Sequence, residues 1–468
     1  MFLTIWGAAK QVTGSMHLLE LANGYKILID CGADFSNQSF KQDYDPIPFD
    51  ASQINLVVLT HAHLDHSGNI PLLVQRGFKG NILSTAATLD LSKLLLSDYA
   101  SINKTKLLSN PKVKKSAALV NALIDAGMYL EKQVDEALTH FISVEYNKLY
   151  QVTDFLKLTL YNAGHLLGAA MVVLEVEENG KRKKIGFSGD IGRNNYPLLE
   201  DPAIMPEVDV LICETTYGNR VHTATSSPQE EIDKIIYETC IKKSGRLIIP
   251  AFSIGRTQTL LYVLNKLNFK SKFGKIKVFA DSPLAREGTK IYQKYIASLN
   301  SEAKESYQEK GNIFDFDNLI DIFNFKDSKA ISNYAQPCVI VSSSGMITGG
   351  RIQHHIQKNI NNPYCTILTI GYSAEGTPGA QIVPDTNSIR LAGKDIPVAA
   401  RIVKTDVFSG HADKNDLINF VGMQNKATLE KVFLVHGEEE SMLHFQTTLH
   451  EIGYRNIIIP EKGQAWEL

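Results

Sequence analysis

The sequence predicts an α/β protein of two domains, in which a βαβ block is inserted into a metal-binding domain. Three observations predict it. The chain has 468 residues, beyond the size at which one core keeps growing. Short apolar strands end repeatedly in potential metal ligands, first in Thr60-His61-Ala62-His63-Leu64-Asp65-His66 and last at His436. From about residue 210, apolar strands alternate with helical segments, a pattern that favours a parallel sheet covered on both faces.

Alternation and turn signals place early strands over 3–6, 17–21, 25–30 and 54–59, then 158–161, 170–177 and 184–188. Helices are expected over 68–76, 85–101, 115–129 and 130–141, with the lysine-rich stretch 104–115 as a solvated face. The second block reads as strand 210–213, helix 228–240, strand 246–250, helix 256–267 and strand 275–279. A helical and loop region spans 287–334, and strands follow at 338–341 and 366–370. The last part carries strands 401–407, 431–435 and 456–459 with helices 414–421 and 440–452. If His436 completes a site whose other ligands precede residue 191, the two chain ends form one domain. The expected division is 1–208 with 396–468, and 209–395 inserted. Surface insertions cost little stability.

Composition excludes several classes. A hydrophobic content of 44% with 21% charged residues is that of a globular chain. A net charge of -2 gives no global pull towards nucleic acid, so dications or a local basic patch must hold any phosphate chain. The first residues lack a basic export signal, and no apolar run is long enough to span a bilayer. Cys31, Cys213, Cys240, Cys338 and Cys365 are scattered in mostly apolar surroundings. They read as buried free thiols in a reducing compartment. A cytoplasmic protein without a membrane partner is expected.

Seven residues form the candidate metal set: His61, His63, Asp65, His66, His165, Asp190 and His436. The expected arrangement places His61, His63 and His165 on one cation and Asp65, His66 and His436 on a second, with Asp190 bridging. Imidazole and carboxylate together suit zinc or another borderline dication, so two divalent cations per chain are expected, with Zn2+ the first choice. Asp30 ends a strand and is placed to orient a ligating imidazole. Two cations that share a water point to hydrolysis, most naturally of a phosphoester.

The motif His61-Ala62-His63-Leu64-Asp65-His66, with Asp30, His165, Asp190 and the late His436, resembles the metallo-β-lactamase superfamily. Glu214 in Glu-Thr-Thr-Tyr-Gly, His411 in Phe-Ser-Gly-His-Ala-Asp and His436 in Val-His-Gly-Glu are similar to the three extra motifs of its β-CASP branch. Ser343-Ser344-Gly345-Met346 with Gly349-Gly350-Arg351 matches a further stretch typical of that branch. The resemblance covers essentially the whole chain. It implies an αββα sandwich built from both chain ends, an inserted β-CASP domain with the active site in the cleft between them, zinc, and hydrolysis of RNA phosphodiesters. Cleavage would be endonucleolytic, with 5′–3′ exonucleolysis as a second mode.

Within that reading Asp190 holds the metal pair. His411 is the candidate donor of a proton to the departing ribose oxygen, oriented by Glu214. The loop Ser343, Ser344 and Gly345, together with Arg351 and Ser409, is the candidate phosphate cradle. His354 and His355 are expected to cap or pack. A basic residue common in the family after Gly371–Thr377 is replaced by Pro378-Gly379-Ala380. The expected partner is single-stranded RNA, selected by a narrow cleft, and any self-association is expected to be dimeric. The residues act on phosphate and so fit DNA equally well. A small-ester hydrolase and a non-catalytic RNA-binding protein are the remaining alternatives.

Overall fold

The computed structural model describes residues 1–36, 45–109, 128–223, 226–267, 269–371, 373, 376–391 and 393–468. The helix expected over 115–129 and residues Tyr372, Ala374 and Glu375 lie largely or wholly outside them. The chain divides into two units. One comprises Met1–Asn194, Asp201–Val221 and His411–Leu468, the other Asn195–Glu200 and His222–Gly410.

The first unit is a sandwich of two seven-stranded sheets. In one sheet Phe2–Gly7, Met16–Glu20 and Lys26–Ile29 are antiparallel neighbours. Leu56–Val58, Asn81–Ser84 and Phe141–Ser143 then add in parallel. In the other, the antiparallel run Tyr150–Thr153, Leu156–Asn162, Ala170–Glu178 and Lys181–Phe187 continues into parallel Val210–Glu214, Lys431–Val435 and Ile457–Ile458. Side chains alternate between faces, which explains the packing. Ile27, Ile29 and Val58 of the first sheet meet Leu158, Val172, Ile212 and Phe433 of the second in one core. Leu28, Val57 and Leu59 point outwards and are covered by Ile70, Leu73 and Phe78. The helix Ile70–Gln75 carries Pro71 in its first turn, where a missing N–H costs nothing. Helix Glu439–Glu451 covers the outer side of Lys431–Val435 and Ile457–Ile458, completing the αββα order.

The second unit centres on a six-stranded sheet. Its order is Leu319–Asp321, Lys277–Asp281, Cys338–Ser342, Arg246–Pro250, Thr366–Ile370, Arg401–Thr405, and every pairing is parallel. Leu247, Ile249, Val339 and Val341 pack under Leu260, Val263 and Leu264 on one face. Ile248, Phe279 and Ile340 pack under Ile352, Ile356 and Ile360 on the other. Burial on both faces is why these strands read as unbroken apolar runs.

The unit boundaries differ from those expected at 208 and 395. Val210–Glu214 hydrogen-bonds between Lys181–Phe187 and Lys431–Val435 and so belongs to the first unit. Arg401–Thr405 pairs with Thr366–Ile370 and belongs to the second. Each expected boundary lay just ahead of a strand whose partner is on the other side of it. All five cysteines are buried and free. No described helix is long and apolar enough to cross a membrane.

Candidate metal centre

The site is built where strands of the first unit end. Asp30 follows Lys26–Ile29, and the stretch from Thr60 to His66 follows Leu56–Val58, two parallel neighbours. Asp190, Thr215-Thr216 and His436 follow Lys181–Phe187, Val210–Glu214 and Lys431–Val435, a second parallel set. Loops held by a rigid sheet place side chains reproducibly. Asp30 and His436 have φ of 60° and 51°, a left-handed conformation that Asp and His adopt more readily than most residues.

His61, His63, His165 and Asp190 form one group able to hold a cation, and Asp65, His66 and His436 a second. His61 Nε2 lies 3.1 Å from His63 Nδ1, and His165 Nε2 lies 3.3 Å from the same atom. Asp190 Oδ2 faces this group, 3.5 Å from His61 Nε2 and 3.6 Å from His165 Nε2. The other oxygen, Oδ1, faces the second group, 3.2 Å from His66 Nε2 and 3.5 Å from His436 Nδ1. Asp190 thus presents one oxygen to each set.

The surroundings orient these groups. Asp30 accepts hydrogen bonds from Thr60 N at 2.7 Å and Thr60 Oγ1 at 2.8 Å. His66 Nδ1 donates to Asp30 Oδ2 at 2.7 Å, which turns Nε2 towards Asp190. Thr60 Oγ1 also lies 3.1 Å from His61 Nδ1, and Thr216 Oγ1 lies 3.1 Å from His436 Nδ1.

Electrostatics suit cation binding. Burial pushes His63 down to about 4, and burial with the nearby His66 pushes His61 well down. Both are neutral and offer lone pairs at neutral pH. Burial opposes ionisation of Asp190, but the surrounding histidines outweigh it and hold the carboxyl well below its usual range. Burial also opposes a charge on His66, yet Asp190 and Asp30 hold its value well above the usual one. A cation replaces such a proton on binding. The donor set fits a divalent ion on one further ground. Asp190 Oδ1 and His436 Nε2 are buried and make no hydrogen bond, and buried polar atoms seldom lack a partner.

Beside this cluster, His411 Nδ1 lies 3.3 Å from Glu214 Oε1 and 4.0 Å from Asp190 Oδ2. Glu214 is fully buried. Its oxygens accept from Ile191 N at 2.6 Å and Thr216 N at 3.3 Å. Ala412 N donates to Ile191 O at 2.8 Å, so one residue after Asp190 anchors both Glu214 and the His411 loop. His63, Asp65 and His411 are the partly exposed members of the group, which marks its open side.

Comparisons with known proteins match three domains along the chain. A metallo-beta-lactamase superfamily domain covers residues 18–182, a Beta-Casp domain covers 257–382, and a Zn-dependent metallo-hydrolase RNA specificity domain covers 395–460. A ribonuclease of Thermus thermophilus is 31% identical over 438 residues, 94% of this chain and 93% of its own. The chain belongs to the β-CASP branch of the metallo-β-lactamase superfamily. An RNase J-like protein of Methanocaldococcus jannaschii is 30% identical over 98% of both chains. Transcription termination factor FttA of Methanosarcina mazei is 30% identical over 96% of this chain and 69% of its own. Family and donor set together make this β-CASP protein a metal-dependent hydrolase.

The residues read from sequence as a phosphate cradle all lie in the second unit. Ser343 Oγ accepts from Ser253 Oγ at 2.8 Å and donates to Ser282 Oγ at 2.6 Å. Ser344 Oγ lies 3.4 Å from Thr348 Oγ1. Gly345 is packed so closely on Phe252 that a Cβ would stand 2.8 Å from its ring. Arg351 departs from the expectation. Its Nη1 donates to Asp281 Oδ1 at 2.7 Å and Ile322 O at 3.2 Å, and its Nη2 donates to Phe323 O at 3.0 Å. Those bonds engage the outer nitrogens of the fork within the fold. His355 packs as expected, with Nε2 2.6 Å from Asp281 Oδ2. Ser409 is fully buried and its hydroxyl has no partner.

Sequence reasoning assigned no role to Thr60 or Thr216. Thr60 directly precedes His61 and Thr216 lies two residues after Glu214, and a hydroxyl close to a ligand motif is the available signal. It also missed His17, which stacks on Phe187 at 6.4 Å and is pushed down to about 3, chiefly by burial. A histidine inside an apolar strand carries no pattern that separates it from a core residue.

Proposed function

We propose that this protein is a zinc-dependent ribonuclease that hydrolyses phosphodiester bonds of single-stranded RNA. The observation that carries the reading is Asp190, with one oxygen towards each set of histidines and the His411–Glu214 pair at its side. The RNA substrate is supported by the names of the relatives, a ribonuclease and an RNase J-like protein.

His61, His63 and His165 would hold one cation, Asp65, His66 and His436 the other, and Asp190 both. Bound cations activate water and offset charge on the scissile phosphate. The protein groups do the rest. Asp30 and Thr216 fix the rings of His66 and His436. Glu214 accepts from His411 Nδ1, which leaves Nε2 to give a proton to the leaving ribose oxygen. The partly exposed edge formed by His63, Asp65 and His411 is where the phosphate approaches.

The test is incubation of zinc-loaded protein with end-labelled single-stranded RNA and DNA of the same sequence, with and without a chelator. Chelator-sensitive cleavage of RNA is expected, and the product ladder reads the cleavage mode. Intact RNA with zinc bound would refute the proposal. Preferential cleavage of DNA would reassign the substrate.

A further inference from the structure

The strand Leu319–Asp321 is one edge of the parallel sheet of the second unit. Directly past its carboxyl end the chain reads Ile322-Phe323-Asn324-Phe325. Ile322 turns into the core. Phe323 and Phe325 do the opposite, with 58% and 49% of their surface exposed. Both rings forgo the gain that burial brings a phenyl group. Each instead carries a cation on its face. Arg286 Cζ stands 4.4 Å from the centre of the Phe323 ring, and Lys329 Nζ stands 4.6 Å from that of Phe325. The His354 ring lies 6.4 Å from Phe325. Burial, His355, Lys358 and Lys329 push His354 below its usual value, which sets two lysines beside a neutral third ring.

The aromatic loop is held in place from behind. Ile322 N donates to Ala280 O at 3.0 Å, and Arg351 Nη2 donates to Phe323 O at 3.0 Å. Asn324 Oδ1 accepts from Asp327 N at 2.9 Å and caps the helix Phe325–Ile331. Of the nearby carboxylates, Asp327 is bonded to Asn324 Nδ2, Glu287 is paired with Lys290 and Arg286, and Asp321 lies close to Arg286. Arg286 also lines a cavity of about 270 Å³ at the carboxyl ends of Lys277–Asp281 and Leu319–Asp321, so the ring and its cation border open space. Open α/β sheets take their ligands at that end of the strands. Arg401–Thr405, the strand at the other edge, ends on the same side, six residues before His411 in the chain.

A partner for this surface must offer flat π-faces to the rings and negative charge to the cations beside them. A nucleotide offers both. We propose that Phe323 and Phe325 form a platform on which unpaired bases of the RNA strand stack, an inference that rests on the ribonuclease reading above. Arg286 and Lys329 offset the charge of the flanking phosphates. Every base has a π-face, so the platform grips single strands without reading their sequence.

The test measures binding of a short, fluorescein-labelled phosphorothioate RNA to the zinc-loaded protein by anisotropy. The same strand with abasic residues in place of nucleotides is run beside it. Phe323→Ala and Phe325→Ala are each expected to weaken binding of the complete strand about tenfold, the scale of one lost base stack. Neither should alter binding of the abasic strand, and Phe323→Trp should keep wild-type affinity. Equal losses on both strands, or no loss on either, overturn the platform. Thermal unfolding is recorded for each variant. If Phe323→Ala does not fold, Phe323→Leu decides, since it keeps apolar bulk and removes the π-face: weaker binding of the complete strand alone supports the platform, and unchanged binding overturns it. A change of mass in sedimentation with RNA affinity unchanged would assign the rings to self-association instead. Wild-type protein that binds neither strand would bring down the ribonuclease reading itself, and the platform with it. Wild-type binding that is insensitive to both phenylalanines would remove the platform alone.

Discussion

His66 Nδ1 lies 2.7 Å from Asp30 Oδ2, and this bond leaves His66 Nε2 3.2 Å from Asp190 Oδ1. The carboxylate sets which nitrogen carries the proton and where the other one points. Partners of this kind change metal affinity by about 10–100-fold. Asp30→Ala should therefore weaken zinc binding within that range, measured by competition with a chelating dye. An affinity equal to that of the wild type would remove Asp30 from the orienting role.

His411 lies outside the seven candidate ligands, with Nδ1 4.0 Å from Asp190 Oδ2. His411→Ala should retain zinc and lower RNA cleavage by about 10²-fold or more, the usual scale for a lost general acid. A p-nitrophenyl phosphodiester, whose leaving group needs no proton, should be affected much less. Equal losses on both substrates would exclude the acid role. Loss of zinc would make His411 a ligand, which its place in a group with Asp190 and Glu214 allows.

Glu214→Gln should show the same substrate selectivity more weakly, since it acts through His411. Its carboxylate also accepts from Ile191 N and Thr216 N while fully buried. Stability should fall by about 1–3 kcal/mol, as for a buried group left partly unsatisfied. Chemical denaturation measures the second effect, and an unchanged midpoint would contradict it.

The second unit has its own buried carboxylate. Burial opposes ionisation of Asp281, but hydrogen bonds from His355, Ser328 and Arg351 outweigh it and hold its value below 3.8. A lowered folded value stabilises above the unfolded value and is lost as pH falls through the folded one. The contribution of Asp281 is therefore complete at neutral pH and fades below about pH 4. Asp281→Asn should cost about 3–5 kcal/mol at pH 7, the range for removing one partner of a buried ion pair. The gap from wild type should narrow in acid, and a gap independent of pH would refute the assignment.

Much of this was legible in the sequence, for reasons that differ by residue. His61, His63, Asp65 and His66 stand together behind one apolar strand, so their proximity needed no tertiary knowledge. His165, Asp190 and His436 were read as candidates because each also follows a strand, and strand ends converge in a layered fold, where the structure brings them beside the first four. Unbroken apolar runs marked the parallel sheet of the second unit. The pairing of Arg351 with Asp281 was not legible, because a glycine-rich turn beside an arginine looks alike whether the fork meets solvent or a buried carboxylate. The sheet that Val210–Glu214 joins was not legible, because an apolar strand does not announce its pairing partners.

The strand Lys431–Val435 inserts between Val210–Glu214 and Ile457–Ile458, and His436 N donates to Ala8 O at 2.8 Å. The group Asp65, His66 and His436 therefore cannot assemble from any local stretch of chain: it depends on sheet pairing between segments far apart in sequence, the kind of contact that forms late because loop closure must come first.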